Sequence, residues 1–182
     1  NTTASNNTAV GRSALTANTT GANNVAIGAF AADVNTTGSG LTGVGYGALT
    51  NNTTGELNTA VGQQALDANT TASNNSAFGW KAMELNTTGT QNTAVGSRAL
   101  EDNTVSSDNT AVGYASQLTT TGASNTSVGS FSMVNNTSGA NNTAVGKSSL
   151  GANTTGANNV AVGAVALDAN TTASNNTAVG TS

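Results

Sequence analysis

The stretch "NNTAVG" at residues 6–11 returns in near-copies along the chain, as "NNVAIG" at 23–28, "NNTAVG" at 141–146 and "NNVAVG" at 158–163. Each copy ends in a glycine that follows Val, Ile or Phe. These glycines stand at positions 11, 28, 45, 62, 79, 96, 113, 129, 146, 163 and 180, so the spacing is 17 residues, with one step of 16. A disordered low-complexity tract does not keep such a register, and the repeat therefore predicts a folded repeat protein.

Every other position of the repeat aligns when this glycine is numbered 0. Position −1 is always apolar, position −2 is small, position +3 is Ala or Ser, and position +4 is usually Leu or Met. Asparagine forms two columns. The first Asn column, at position −4, contains Asn7, Asn24, Asn58, Asn75, Asn92, Asn109, Asn125, Asn142, Asn159 and Asn176. The second Asn column, at position +7, contains Asn18, Asn35, Asn52, Asn69, Asn86, Asn103, Asn136, Asn153 and Asn170.

A period of 17 residues is too short for a helical hairpin repeat, which needs about 33, but it suits one coil of a solenoid. We therefore predict an all-β fold: a parallel β-solenoid (β-roll) of about eleven 17-residue coils with stacked Asn, Thr and Val ladders. It forms a single repeat domain over residues 1–182. Both Asn columns are expected to be structural, because stacked amides satisfy backbone groups at the turns.

The same columns predict the interior. We expect Val at position −1 and Leu at position +4 to point inward as two apolar stripes. The small residue at position −2 would let two sheets approach closely, and glycine would take corner angles that other residues resist. Charged residues fall in two turns of the coil, where we expect them to lie outside.

Composition excludes most chemistry. The chain has no His or Cys, and its net charge is −4, with only four basic residues. The usual combinations of nucleophile, base and metal ligand, which rely on His or Cys, are therefore absent, and we predict a non-enzymatic protein without cofactor or metal. Nucleic acid would need clustered cations, and membrane insertion would need about 18 consecutive apolar residues, so neither is expected.

One acidic column leaves an alternative open. Asp67, Glu84 and Glu101 are 17 residues apart, which would place their carboxylates about 5 Å from one another in successive coils. Such a column could hold Ca²⁺. Lys81 and Arg98 precede two of these acids by three residues, however, and we favour simple local pairing.

Two surface features are candidates for recognition. Most aromatic residues follow the glycine directly and could mark an interface with sister chains or a partner, or could simply be rings that cover the sheet edge: Phe30, Tyr46, Trp80, Tyr114 and Phe131. A Thr column that includes Thr19, Thr36 and Thr53 invites comparison with ice-binding solenoids. The frequent N-x-T and N-x-S triplets are read as products of the repeat rather than glycosylation sites.

The stretch "NNVAIGAFA" at residues 23–31 resembles the head repeat of trimeric autotransporter adhesins, which are left-handed parallel β-rolls with shorter coils. The chain also looks like N-T-A-V-G repeats of phage tail-fibre-like and bacterial surface proteins. The resemblance covers nearly the whole chain. It implies an elongated, commonly trimeric fibre that is extracellular, on the cell surface or part of a virion tail.

These observations together predict a structural extracellular fibre segment: a filament, an adhesin shaft or a tail fibre. It would act as a stiff spacer and self-assemble through its solenoid ends or lateral contacts, as part of a longer fibre. The expected partners are copies of itself, stacked end to end or as a trimer, and a host surface or glycan. The alternative is a module that binds ice or glycans through its Thr-rich face. The short coil at Gly113–Gly129 is either a tolerated slip or a bend.

Overall fold

The computed structural model describes residues 3–181, which form a rod of stacked coils. Each coil contributes one strand of three residues to a single parallel sheet, and the strand order follows the chain. The strands β1 to β11 are Thr8–Val10, Val25–Ile27, Thr42–Val44, Thr59–Val61, Ser76–Phe78, Thr93–Val95, Thr110–Val112, Thr126–Val128, Thr143–Val145, Val160–Val162 and Thr177–Val179. The predicted parallel β-solenoid is confirmed.

Strand pairing keeps equivalent residues of successive coils opposite each other. In β4 and β5, for example, Ala60 pairs with Ala77. The short coil does not disturb this register, since Ala111 of β7 still pairs with Ser127 of β8. The missing residue is therefore absorbed in the turns outside the sheet.

The repeating glycine turns the chain at the end of each strand. Its φ lies between 130° and 141° in all eleven coils, a region that residues with a side chain rarely adopt. At Gly62 an added Cβ would lie only 2.3 Å from the carbonyl oxygen of Gly79 in the next coil. The glycine is thus needed for its backbone angles, as predicted, and also for the close stacking of coils.

The side of each coil that lies opposite the sheet has a bent backbone, although a second sheet was expected there. Residues at positions +2 and +4 have positive φ, such as 57° at Gln64 and 51° at Leu66, so the chain bends there instead of extending. Their N–H groups still donate between coils, to the Tyr46 oxygen (2.9 Å) and the Ala82 oxygen (3.0 Å) respectively. The strands of residues 3–181 form one sheet, and the expectation of two facing sheets is wrong.

The core consists of small residues and one long side chain per coil. Ala60 and Ala65, at positions −2 and +3, are fully buried together with Leu66 at position +4. The expectation that Val at position −1 points inward is wrong, since Val95 is 38% exposed. Side chains alternate across a strand, so an inward Ala places both its Thr and its Val neighbour on the outer face. Leu from the opposite wall already fills the narrow interior.

Candidate functional site

The second Asn column forms a buried ladder of amides along the rod. The Asn52 side chain donates from Nδ2 to Asn35 Oδ1 (3.1 Å) and to the Gly55 oxygen (3.0 Å), and its Oδ1 accepts from Asn69 Nδ2 (2.7 Å). The same amide-to-amide bond is donated by Asn35 to Asn18, Asn86 to Asn69, Asn103 to Asn86, Asn153 to Asn136, and Asn170 to Asn153. These amides hold the coils together, and all but Asn103 Oδ1 of the atoms in these bonds are engaged with the protein itself.

The first Asn column differs from the predicted side-chain stacking, because most of its amides bond to backbone groups. Asn58 Oδ1 accepts from the backbone N–H of Asn75 (3.0 Å), and Asn58 Nδ2 donates to the Ala72 oxygen (2.7 Å). Most amides of this column clamp two backbone groups in this way, as Asn75 and Asn92 do. Direct amide-to-amide bonds occur in this column at Asn125 and Asn176. The column is structural, as expected, but most of its partners are main-chain atoms.

An apolar ridge runs along one corner of the rod. We define it as the residues at position −1 together with the aromatic residues at positions +1 and +2. It holds twelve of the sixteen exposed large apolar side chains: Val10, Ile27, Tyr46, Phe78, Trp80, Val95, Tyr114, Val128, Phe131, Val145, Val162 and Val179. Single exposed apolar residues are ordinary, but a line of them that is interrupted only at the half-buried Val61 is typical of an interaction surface.

The aromatic residues of the ridge make contacts with their neighbours. Phe30 and Tyr46 pack edge to face with ring centres 5.8 Å apart, and Tyr114 and Phe131 do so at 5.2 Å. Trp80 belongs to neither pair and lies beside the Lys81 ammonium, 5.4 Å from its ring centre. The structure therefore groups four of the five predicted interface residues into two pairs. The exposed Val column beside them was missed, although the Thr-Ala-Val alternation carries that signal.

Acidic and basic side chains pair locally, as the sequence indicated. Lys81 Nζ lies 3.0 Å from Glu84 Oε2, and Arg98 pairs with Glu101 in the next coil. Glu101 is nevertheless buried, whereas an external position was expected.

Burial raises the pKa of Asp67, a hydrogen bond with Thr50 lowers it, and the nearby Glu84 carboxylate raises it further. Residues 3–181 contain no group of three or more acidic side chains arranged to hold a metal ion.

The Thr side chains at position +8 donate hydrogen bonds to backbone oxygens of the next coil. Thr36 Oγ1 donates to the Thr53 oxygen (3.1 Å), and Thr53 Oγ1 donates to the Thr70 oxygen (3.0 Å). The neighbouring column at position +9 is exposed, as at Thr54 and Thr88. A flat external surface would therefore contact the Thr side chains at position +9 rather than those at position +8, which the sequence had suggested.

No protein-family model, curated protein or solved structure matches the chain. The resemblance to adhesin heads and tail fibres therefore remains a prediction from the repeat motif. No helix within residues 3–181 is long and apolar enough to cross a membrane. The buried ladders, the apolar ridge and the exposed Thr column are the features of the rod that bear on its function.

Proposed function

We propose that this chain is a structural segment of an extracellular fibre, in which the solenoid acts as a stiff spacer. The supporting observation is the unbroken series of axial hydrogen bonds from Asn18 to Asn103, in which every coil is tied to the next by a buried amide. Bending the rod would stretch these bonds on one side. A chain built around this ladder is suited to bearing load along its axis.

Limited proteolysis of the isolated chain tests the spacer role. Coils whose strands and turns are bonded to their neighbours at most steps expose few extended segments to a protease, so cleavage should be slow and confined to a few sites. Prompt cleavage along the whole length would contradict the proposal. Antibody labelling of intact cells or virions of the source tests the external location separately, because an internal protein would remain unlabelled.

The apolar ridge supports lateral contact between copies of the chain. Ten steps of about 4.8 Å give the ridge a length of about 48 Å, and its three-residue width is about 10 Å. Pairing two such ridges would bury on the order of 1,000 Å² in total, which reaches the lower size limit of specific interfaces. A second copy of the chain has the same axial repeat, so the apolar residues of two ridges can meet at every coil.

Charge placed on the ridge tests lateral contact. Val95→Lys combined with Val145→Lys should shift light-scattering mass from an oligomer to a monomer, since lysines cannot be desolvated cheaply in an apolar contact. Thr71→Lys with Thr88→Lys, on the exposed Thr column, is the matched control and should leave the mass unchanged. A wild-type chain that is monomeric at high concentration would contradict lateral association while leaving the spacer role intact.

A second candidate is a module that binds ice or glycans through the Thr column at position +9. It is favoured by the exposure of Thr37, Thr54 and Thr71 at the same position of successive coils. Thermal hysteresis and a glycan array would detect such binding. The paired substitution Thr71→Lys with Thr88→Lys should abolish it, and the Val95 and Val145 variant should retain it.

A further inference from the structure

The short coil between Gly113 and Gly129 interrupts the amide ladder. Thr120 stands where the second Asn column requires asparagine, and it is 3% exposed. Its hydroxyl bonds locally, with the N–H of Gly122 at 3.1 Å and the oxygen of Gly122 at 3.2 Å. As a result, Asn103 Oδ1 has no hydrogen-bond partner among residues 3–181. One axial link of the ladder is missing at this step.

The same coil buries a polar side chain in place of the core Leu. Gln117 is fully buried, and its Nε2 donates to Asn109 Oδ1 at 2.9 Å. That Oδ1 also accepts from the Asn125 N–H at 3.0 Å, which fixes the orientation of the Asn109 amide. Two further atoms are left unpaired within the described chain, Asn109 Nδ2 and Gln117 Oε1. Rotating either amide would break bonds that already exist.

The apolar core also divides at this place. One cluster of buried apolar side chains ends at Leu100 and Ala111, and a second begins at Met133 and Ala144. Between the clusters lie buried serines in core columns, where Ser116 Oγ and Ser127 Oγ are 2.6 Å apart. The core of the short coil is thus polar. The coil before it has an apolar core that includes Ala99 and Leu100, and the coil after it keeps Met133 and Ala144 beside one buried serine, Ser132.

We propose that this polar layer is a built-in weak point that divides the rod into two units, one up to β7 and one from β8 onward. In a solenoid each coil contacts only its neighbours, so no other contact bridges a weak coil. Each unpaired buried polar group shifts a local opening equilibrium by about fivefold to a hundredfold. Under tension or protease, the rod therefore yields at residues 113–129 before it yields elsewhere.

Native-state hydrogen exchange of the full chain tests the proposal. Amides of residues 114–126 should exchange at least about tenfold faster than those of the regular coils at 63–78 and 147–162. Denaturant unfolding should show two transitions, and limited proteolysis should give two fragments separated in this coil. Equal exchange in all three coils would overturn the proposal. A water molecule that bridged the three unpaired atoms would produce that result, since it can donate twice and accept once.

A regularised variant provides the matched comparison. Gln117→Leu and Thr120→Asn, with one Thr inserted between Thr121 and Gly122, restore the 17-residue pattern. Exchange in this coil should then slow by at least about tenfold, and unfolding should become a single transition. The reciprocal change, Leu66→Gln with Asn69→Thr and deletion of Thr71, should create fast exchange in a regular coil. If the regularised coil exchanges as fast as the wild type, the polar layer is not the cause and the proposal fails.

Discussion

Replacing one asparagine of the buried ladder should cost far more stability than replacing its exposed neighbour. Asn52→Ala removes three hydrogen bonds, to Asn35, Gly55 and Asn69, and leaves Asn35 Oδ1 buried without its donor. At about 1 kcal/mol per bond, with a further penalty for the unpaired oxygen, the loss should be about 3–5 kcal/mol. For a chain of this length that corresponds to a fall in Tm of about 6–20 °C.

Asn51→Ala is the matched control, because it changes the adjacent residue in the same way. Asn51 is exposed, and its Nδ2 makes a single bond to the Asp67 oxygen (3.0 Å). This substitution should cost less than about 1 kcal/mol. Urea unfolding followed by far-ultraviolet circular dichroism gives both values. If the two variants differ by less than about 0.5 kcal/mol, the ladder does not stabilise the rod as described.

Asn52→Asp separates hydrogen bonding from side-chain volume. The aspartate can still accept from Asn69, but it offers no donor to Asn35 Oδ1 or the Gly55 oxygen. Burial beside two acceptors raises the pKa of the new carboxyl, so the folded state favours its protonated form. The variant should therefore lose stability as pH rises from 4 to 7. A loss that is the same at both pH values would show that this site is open to water.

The remaining predictions concern two glycines and one carboxylate. Gly62→Ala should destabilise by at least about 3 kcal/mol, because a Cβ would meet the Gly79 oxygen at a φ of 140°. Gly43→Ala should be neutral or stabilise by up to about 1 kcal/mol, since its nearest new contact is 3.4 Å and other coils have Ala there. Urea unfolding measures both. Since the pKa of Asp67 is raised above 3.8, its carboxyl makes stability fall as pH rises past that value. Asp67→Asn should reduce this pH dependence, and an unchanged pH profile would contradict that interpretation.

The period and its columns were sufficient to predict the fold, because a 17-residue repeat with invariant positions leaves few other architectures. The ladder role of Asn52 followed from the same stacking. The orientation of the strands did not follow. The repeat favours Val95 inside as part of an apolar stripe, whereas Ala94 is inside. The alternation of three residues is too short to predict which side of the strand faces the core. Which side does so depends on how much space the Leu100 side chain leaves in the interior.

The candidate surfaces were less predictable for a related reason. The aromatic residues were visible in the sequence, but the apolar ridge depends on the outward Val column and appears only once the strand face is known. The unpaired atoms at Asn109 and Gln117 depend on side-chain rotation around one missing residue. Sequence reasoning identified the short coil as irregular but could not choose between a slip and a bend.

The hydrogen bonds that join successive coils also have a kinetic consequence. They connect residues roughly one coil apart, such as Asn52 to Asn69 and Thr59 to Asn75. Folding slows mainly when distant parts of a chain must find each other, and here each new coil needs only the finished coil before it. In a chain with twice as many coils, the longest loop that must close during folding would be the same as here. The folded part could therefore grow by adding coils at one end, at a rate that does not fall with length.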